Sequence, residues 1–530
     1  MSNWMTGLES FLDPTILILT PIGVLLGALI GAVPGLSATV GIAIFLPFTF
    51  ALDPLAGLVL LLGIYNGACY AGSIPAILLR TPGTPASAAT VIDGYSMTKK
   101  GQAGRALSIS LVASVIGGLI STLLMIFLAP VVADFALGFG PAEYFALAVL
   151  ALAIIASLGE GSIAKGIISG AIGIMIAMVG LDGISGFNRF TFGVGDLSAG
   201  IELVPLLVGL FGAAEAIRQI EARLTGTNRV AKLGTFKVGR ARWRSLSPHM
   251  ASGGLIGFII GILPGVGGDI GGYMAYNESR RFARTHRSRF GKGDPRGVAA
   301  AESANNSAQV GGLIPTLTLG IPGNAAAAVL MGALLIQGLQ PGPQLFTGSP
   351  DLVYGTFIAL VAGFIFLLVI GMFSIRLWAQ VIRIPPALLW PMVLVLTVIG
   401  AYAVRTNPFD VLVMLIAGVI GYLMMKTGWP VAPLLIGVIV GPLAEQSYRR
   451  AMIQSGGSLE WALEPIPLVL LILAVLSVVY SVWQAKRDVA KSVEPKVAPQ
   501  SHNPANPEDE VSTEATAQQN TEHGTNSSPG

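Results

Sequence analysis

Two stretches of this chain carry the same polar residues and the same helix breakers in the same register. One runs from Asn66 through Ser73, Pro75, Arg80, Thr81, Pro82 and Gly83 to Thr84. The other runs from Asn305 and Asn306 through Pro315, Thr316, Thr318, Pro322 and Gly323 to Asn324. Asn66 and Asn306, Pro75 and Pro315, and the two Pro-Gly pairs are each 240 residues apart. Proline removes a backbone donor and clashes with the preceding turn, so each stretch is expected to be a broken helix. In an apolar chain such a break exposes amides and carbonyls at membrane depth. That is tolerated only where the backbone lines a cavity or is buried in protein. Half-helix N-termini then offer N–H groups and partial positive charge to a carboxylate. Half-helix C-termini and freed carbonyls suit Na+.

Upstream of each stretch lies a second pair of breakers. Gly27, Gly31 and Pro34-Gly35 match Gly257, Gly261 and Pro264-Gly265 at an offset of 230 residues. Two blocks in the same order indicate an internal duplication. Small polar residues at these breaks are the expected ligands. For an anionic substrate they are Ser37, Thr39, Asn66, Arg80, Thr81, Pro82, Gly83, Thr84, Asn306, Pro322, Gly323 and Asn324. For Na+ they are Pro34, Gly35, Ser73, Pro264, Gly265, Asp269, Asn305, Thr316 and Thr318. Plainer readings stand beside these. Asn66 and Asn306 would merely cap broken helices. Arg80 would either clamp a carboxylate in bidentate fashion or snorkel to the interface. Asp269 would either bind a cation or face the cytoplasm. Glu302 reads as a structural partner for a backbone N–H or a basic residue, and Asp93 as a group near the inner face.

The composition says what must position these residues. The chain has 530 residues, 53% hydrophobic and 11% charged, with mean hydropathy +0.73. Soluble proteins carry about 25% charged residues, so this is a polytopic helical membrane protein. The net charge of +3 does not suggest nucleic acid, because Lys and Arg cluster beside apolar runs as topology markers. Cys69 is the single cysteine, and the four histidines show no ligand spacing. No nucleophile–base pair is evident, so neither an enzyme nor a cofactor beyond a coupling ion is expected. The N-terminus lacks a basic n-region and a small-residue cleavage site, and reads as retained.

Charge placement sets the topology. Glu9 and Asp13 lie outside, and Lys99, Lys100 and Arg105 inside. Residues 15–52 read as two full spans or as one re-entrant hairpin tipped at Pro34-Gly35. Basic residues flank both sides of 249–276, which demands a hairpin tipped at Pro264-Gly265. Arg405, Arg449 and Arg450 fall outside in this scheme, against the rule. The expected fold is all-α, with two inverted-topology repeats of re-entrant hairpins and broken helices, about 11 crossings plus two hairpins. The repeats are placed at 1–248, including a basic cytoplasmic loop, and 249–445. A final span follows at 446–485, and then a disordered tail at 486–530. Inverted repeats with paired broken helices are the signature of a secondary transporter. A passive channel is the alternative, since it also uses broken helices and carbonyl linings.

Taken together, the motifs resemble the large membrane subunit of the tripartite tricarboxylate transporters over about 15–455. The carriers are Pro34-Gly-Leu-Ser-Ala-Thr39, Pro82-Gly-Thr-Pro85, Asp93-Gly-Tyr95 and Lys100-Gly-Gln-Ala-Gly-Arg105. In the second copy they are Phe290-Gly-Lys-Gly293, Glu302-Ser-Ala-Asn-Asn306, Leu319-Gly-Ile-Pro-Gly323 and Gly338-Leu-Gln-Pro-Gly342. The resemblance implies a multi-pass carrier of the bacterial inner membrane, driven by a cation gradient, usually Na+. It implies a small membrane subunit and a periplasmic solute-binding protein as partners, and citrate or another organic carboxylate as substrate. Arg80 stands where the pattern more often has Asn, and Asp269 where a small neutral residue is frequent. Both departures bear on substrate choice.

Overall fold

The computed structural model describes residues 2–158, 162–182, 184–222, 233–264, 267–381 and 386–493. The expectations placed on Gly265, on the Asp269 side chain and on the tail after Val493 lie outside the described residues. The chain is helical almost throughout. One two-stranded antiparallel ribbon, Gly180–Leu181 with Asn188–Arg189, is the only sheet among the described residues.

After α1 (Ser2–Phe11), the first repeat comprises α2 (Pro14–Ala32), α3 (Ala38–Phe45), α4 (Pro54–Ala71), α5 (Ser73–Leu79), α6 (Ala88–Lys99), α7 (Ala103–Ala136), α8 (Pro141–Leu158), α9 (Ile163–Ala177), α10 (Leu203–Leu207) and α11 (Ala214–Glu221). The second comprises α12 (Arg240–Ile262), α13 (Gly267–Phe282), α14 (Pro295–Gly311), α15 (Leu313–Leu319), α16 (Ala325–Ile336), a short α17 (Gln344–Gly348), α18 (Pro350–Val381), α19 (Pro386–Arg405), α20 (Pro408–Lys426) and α21 (Val431–Gln454). A last helix, α22 (Pro465–Val493), runs past the expected end of the final span at 485.

The two copies correspond most closely through α2–α6 and α12–α16. In the first, α2 lies parallel to α4, with Gly27 against the Ile64 carbonyl and Gly31 against that of Ala68. In the second, Gly257 and Gly261 of α12 meet the Ala304 and Ala308 carbonyls of α14 in the same way. None of these four positions leaves room for a Cβ, which is how small residues let membrane helices approach closely. Both hairpins turn back as expected. Asp13 and Asp53, at the two ends of the first, line one cleft with Asp351. In the second, Ser279 of α13 meets His249 of α12 at 2.8 Å. The first hairpin is asymmetric. Its outgoing limb α2 is long enough to cross a membrane, whereas its return is the short α3 and the 3-10 turns of Leu46–Ala51.

The repeats interlock rather than sit side by side. The 34-residue α7 of the first copy packs along α14 of the second, with Gly117 against Ser303. In exchange, α18 of the second packs along α4 of the first, with Gly363 beside Asn66. The last spans trade places likewise. α21 lies on α8 and α9, and the segment from Val208 to α11 lies on α19 and α20. Every residue from Leu55 to Ala71 of α4 and from Gly297 to Gly311 of α14 is therefore buried. A helix buried on all sides needs no amphipathic face, which frees α14 to carry Glu302, Asn305, Asn306 and Gln309. Ten helices among the described residues are long and apolar enough to span, and α14 is not among them.

Charges mark the two ends. Lys100, Arg105, Arg242, Arg289, Lys292 and Arg296 line a cleft of about 650 Å3 at the end where α7, α12 and α14 begin. By the positive-inside rule that end is cytoplasmic. Two of the three outward arginines are paired with acids. Arg405 meets Glu202 at 2.9 Å and Asp410 at 2.5 Å. Arg449 meets Asp182 and Glu445, each at 2.9 Å.

Candidate functional site

α4 and α14 cross in opposite directions. The side-chain amide of Asn305 donates to the Cys69 carbonyl at 3.4 Å. Further along, the Tyr65 hydroxyl donates to Asn324 Oδ1 at 3.2 Å. The two copies are thus inverted relative to each other where they touch. Around the crossing each copy has the same irregular path. α4 is interrupted at Gly72 and α14 at Gly312. Pro75 and Pro315 lie in the first turns of α5 and α15, and a proline ring clashes with the carbonyl four residues back. That clash falls on Ala71 and Gly311, one residue before each interruption.

The chain then folds back. Gly83 donates its N–H to the Gly72 carbonyl at 3.1 Å. Added Cβ atoms at Gly83 and Gly323 would fall 2.8 Å and 2.6 Å from the Cα atoms of Gly72 and Gly312. Glycine stacked on glycine brings each Pro-Gly loop against the kink of its own helix. Both α5 and α15 end on a left-handed residue, Arg80 (φ 65°) in one copy and Gly320 (φ 68°) in the other. The second copy uses the residue that tolerates this conformation, and the first does not.

The expected ligands divide into three groups. The first lies along the kinks and loops, with Asn305 and Asn324 at the crossing itself. Asn324 caps α16 by accepting from the Ala327 N–H at 2.9 Å. Thr84 is buried and pairs with Ser87 at 3.0 Å. The Thr316 hydroxyl donates to the Gly312 carbonyl at 2.7 Å and accepts from the Gly323 N–H at 3.2 Å. Asn305 accepts from Gln309 at 3.1 Å while it donates to Cys69. Thr318 donates to Ile314, and Ser73 pairs with Ser110 at 2.6 Å. A hydroxyl that donates to a helix carbonyl keeps lone pairs for a cation.

Asn66 and Asn306 form the second group, and here the expectation needs correcting. They do not sit at breaks and cap nothing. Both lie inside continuous helix, six residues ahead of Gly72 and Gly312. Proline acts on the turn just before it, and these residues are beyond its reach. Asn306 is fully buried, and neither its Oδ1 nor its Nδ2 has a hydrogen-bond partner. Asn66 is buried against Gly363.

The third group lies apart from the crossing. Arg80, Thr81 and Pro82 are exposed. Ser37 caps α3 by accepting from Val40 at 3.3 Å, and Thr39 is half-buried beside it. Gly35 has φ 90° and abuts Glu215 and Gln219 of α11, with Pro34 half-buried before it. Pro322 is buried in the second loop, and Pro264 is half-buried at the second tip.

Of two further acids, Glu302 differs from expectation and Asp93 does not. Among the described residues Glu302 has neither a basic partner nor a side-chain bond from a backbone donor. Thr90 and Ser114 donate hydroxyls to its two oxygens. Asp93 does lie toward the basic end, but as a buried tie. It accepts from the Gly293 and Asp294 amides at 2.7 and 2.8 Å and from the Tyr276 hydroxyl at 2.9 Å. Burial works to raise the neighbouring Asp294 carboxyl, yet hydrogen bonds from Arg296 outweigh it and hold the group below its ordinary value. Tyr65, Thr90, Ser110 and Ser114 were missed from sequence. Tyr65 stands 240 residues before Asn305, so the offset of the repeat would have found it.

Comparison with known proteins agrees with this architecture. The family described as "Tripartite tricarboxylate transporter TctA family" matches residues 17–436. An Agrobacterium vitis protein, "Uncharacterized 52.8 kDa protein in TAR-I ttuC' 3'region", is 39% identical over 495 residues, covering 92% of this chain and 98% of its own. A second, "Uncharacterized protein in TAR-II ttuC' 3'region" of the same organism, is 36% identical over 236 residues, covering 44% of this chain and 97% of its own. No solved structure matches the chain.

Proposed function

We propose a coupled-transport function for this chain, which belongs to the tripartite tricarboxylate transporter TctA family. It is the large permease subunit of a secondary transporter in the bacterial inner membrane. It imports an organic carboxylate delivered by a periplasmic binding protein, together with a small membrane subunit. Na+ supplies the driving force.

The observation that carries this reading is the antiparallel crossing of α4 and α14 within two interlocked, inverted repeats. Inverted repeats place equivalent half-sites at the bilayer midplane, reachable from either face as the two copies exchange conformations. The N-termini of α6 and α16 supply N–H groups and partial positive charge for the carboxylate. Asn66, Asn306 and Asn324 orient it. Ser73, Asn305, Thr316, Thr318 and the carbonyls beside the kinks hold Na+. The hairpins, α4–α6 and α14–α16 move together in an elevator-like step, past α7 and α18.

Uptake into proteoliposomes holding both membrane subunits, with the binding protein outside, tests the function. Uphill accumulation of an organic acid that collapses when the Na+ gradient is removed is the expected result. Equilibration without accumulation would instead mark a channel.

A further inference from the structure

Glu302 lies one turn ahead of Asn306 on α14, and its side chain is fully buried. Thr90 of α6 donates to Oε1. Ser114 of α7 donates to Oε2 at 3.3 Å. Ser110, one turn before Ser114 on α7, is paired with Ser73 of α5 at 2.6 Å. Hydroxyls from two helices of the first repeat, α6 and α7, thus bracket one carboxyl on α14 of the second. Among the described residues it forms no ion pair.

The helices packed against α14 carry charged and titratable groups of their own. Tyr70 of α4 faces Glu302, and its buried hydroxyl has no hydrogen-bond partner. Asp93 of α6 is tied to Tyr276, Gly293 and Asp294. His249 of α12 meets Ser279, and Arg105 of α7 meets the Lys237 carbonyl at 3.3 Å. On α13, Glu278 pairs with Arg281 at 3.0 Å.

A carboxylate with no cation beside it is expensive at this depth, so it takes up a proton or a metal ion. The contacts decide between the two. A Na+ ion would need the oxygens to stand around it, with the ion between hydroxyl and carboxylate. Here the hydroxyls of Thr90 and Ser114 bond directly to the carboxylate oxygens and fill that space. A neutral acid fits the same cage, because its O–H donates while its other oxygen accepts, and each hydroxyl can do either.

We propose that Glu302 is a proton-binding site whose loading is linked to the transport cycle, so that a proton travels with the carboxylate beside Na+. The inference rests on the transport reading above. An O–H bond forms with a proton taken from water while the site is open to one face. It breaks to water on the other face after α6 and α14 have moved together past α7. One proton crosses per cycle, and the carboxyl returns unchanged.

The test compares wild type with Glu302→Gln in proteoliposomes holding both membrane subunits, at a fixed Na+ gradient, with and without an acid-outside pH gradient. With one proton per substrate, each unit of pH gradient raises the wild-type accumulation ratio about tenfold. Glu302→Gln is expected to lose that response. Wild-type accumulation that ignores the pH gradient, or a Glu302→Gln response equal to wild type, overturns the proposal. Infrared spectroscopy keeps it falsifiable should the variant be inert. A protonated-carboxyl C=O band that Glu302→Gln removes is expected in the purified wild-type complex, and its absence across mildly acid to mildly alkaline pH also overturns the proposal. Wild type that accumulates no carboxylate under any gradient would instead defeat the transport reading.

Discussion

Asn305 on α14 donates to the Cys69 carbonyl on α4 at 3.4 Å, at the point where two wholly buried helices from opposite repeats pass each other. The same carboxamide accepts from Gln309. Asn305→Ala would leave two buried partners unmatched, at a cost of about 1–3 kcal/mol each. A lowered melting temperature and loss of uptake are the expected results. Unchanged stability would remove Asn305 from the contact between the repeats.

Asn306 is the opposite case. Its buried carboxamide bonds to nothing among the described residues, so it is a liability for stability. Asn306→Ala should leave the melting temperature equal or higher while abolishing uptake, the trade-off expected where a site is kept polar for a ligand. Normal uptake by Asn306→Ala would show that the carboxamide touches neither substrate nor Na+. Asn66→Ala tests the equivalent position in the first repeat in the same assay.

Arg80 holds the left-handed conformation that Gly320 holds in the second repeat. A non-glycine residue there costs about 1–2 kcal/mol. Arg80→Gly should therefore raise the melting temperature. Arg80→Asn, which also tolerates this conformation, should change the profile of carboxylates taken up. An unaltered profile in competition assays would assign Arg80 to the membrane surface.

The sequence made some of this legible and hid the rest, for a physical reason. Glycine and proline constrain the backbone locally, so Pro34-Gly35, Pro82-Gly83 and their copies announced the hairpin and loops through spacing alone. The same residues misplaced Asn66 and Asn306, because the interruption falls at Gly72 and Gly312, and the asparagines lie further back in intact helix. Tertiary partners leave no local trace. Nothing near Glu302 in the chain points to Thr90 or Ser114, which lie 212 and 188 residues away. Nor does the neighbourhood of Arg449 point to Asp182, 267 residues away, with which it pairs. The exchange of α7 and α18 between repeats is invisible for the same reason.

That outer pair gives a prediction in pH. Ser185, the Ile184 amide and Arg449 hold the Asp182 carboxyl below its ordinary value. A depressed carboxyl contributes stability that is fully present above the unfolded value, near about 4, and is lost as pH falls through the folded one. Melting temperature should drop as the pH is lowered through that range, and Asp182→Asn should flatten the drop. An identical acid profile in the variant would assign the acid sensitivity elsewhere.

The inverted crossing is the claim on which the transport reading rests, and membrane sidedness tests it most directly. Cysteines placed singly at Asp53, where α4 begins, and at Lys292, just before α14, can be probed with an impermeant maleimide in right-side-out vesicles. Cys69 is buried and can remain. The account predicts that Asp53→Cys reacts at once and that Lys292→Cys reacts only after the vesicles are opened. Labelling of both from the same face would contradict it.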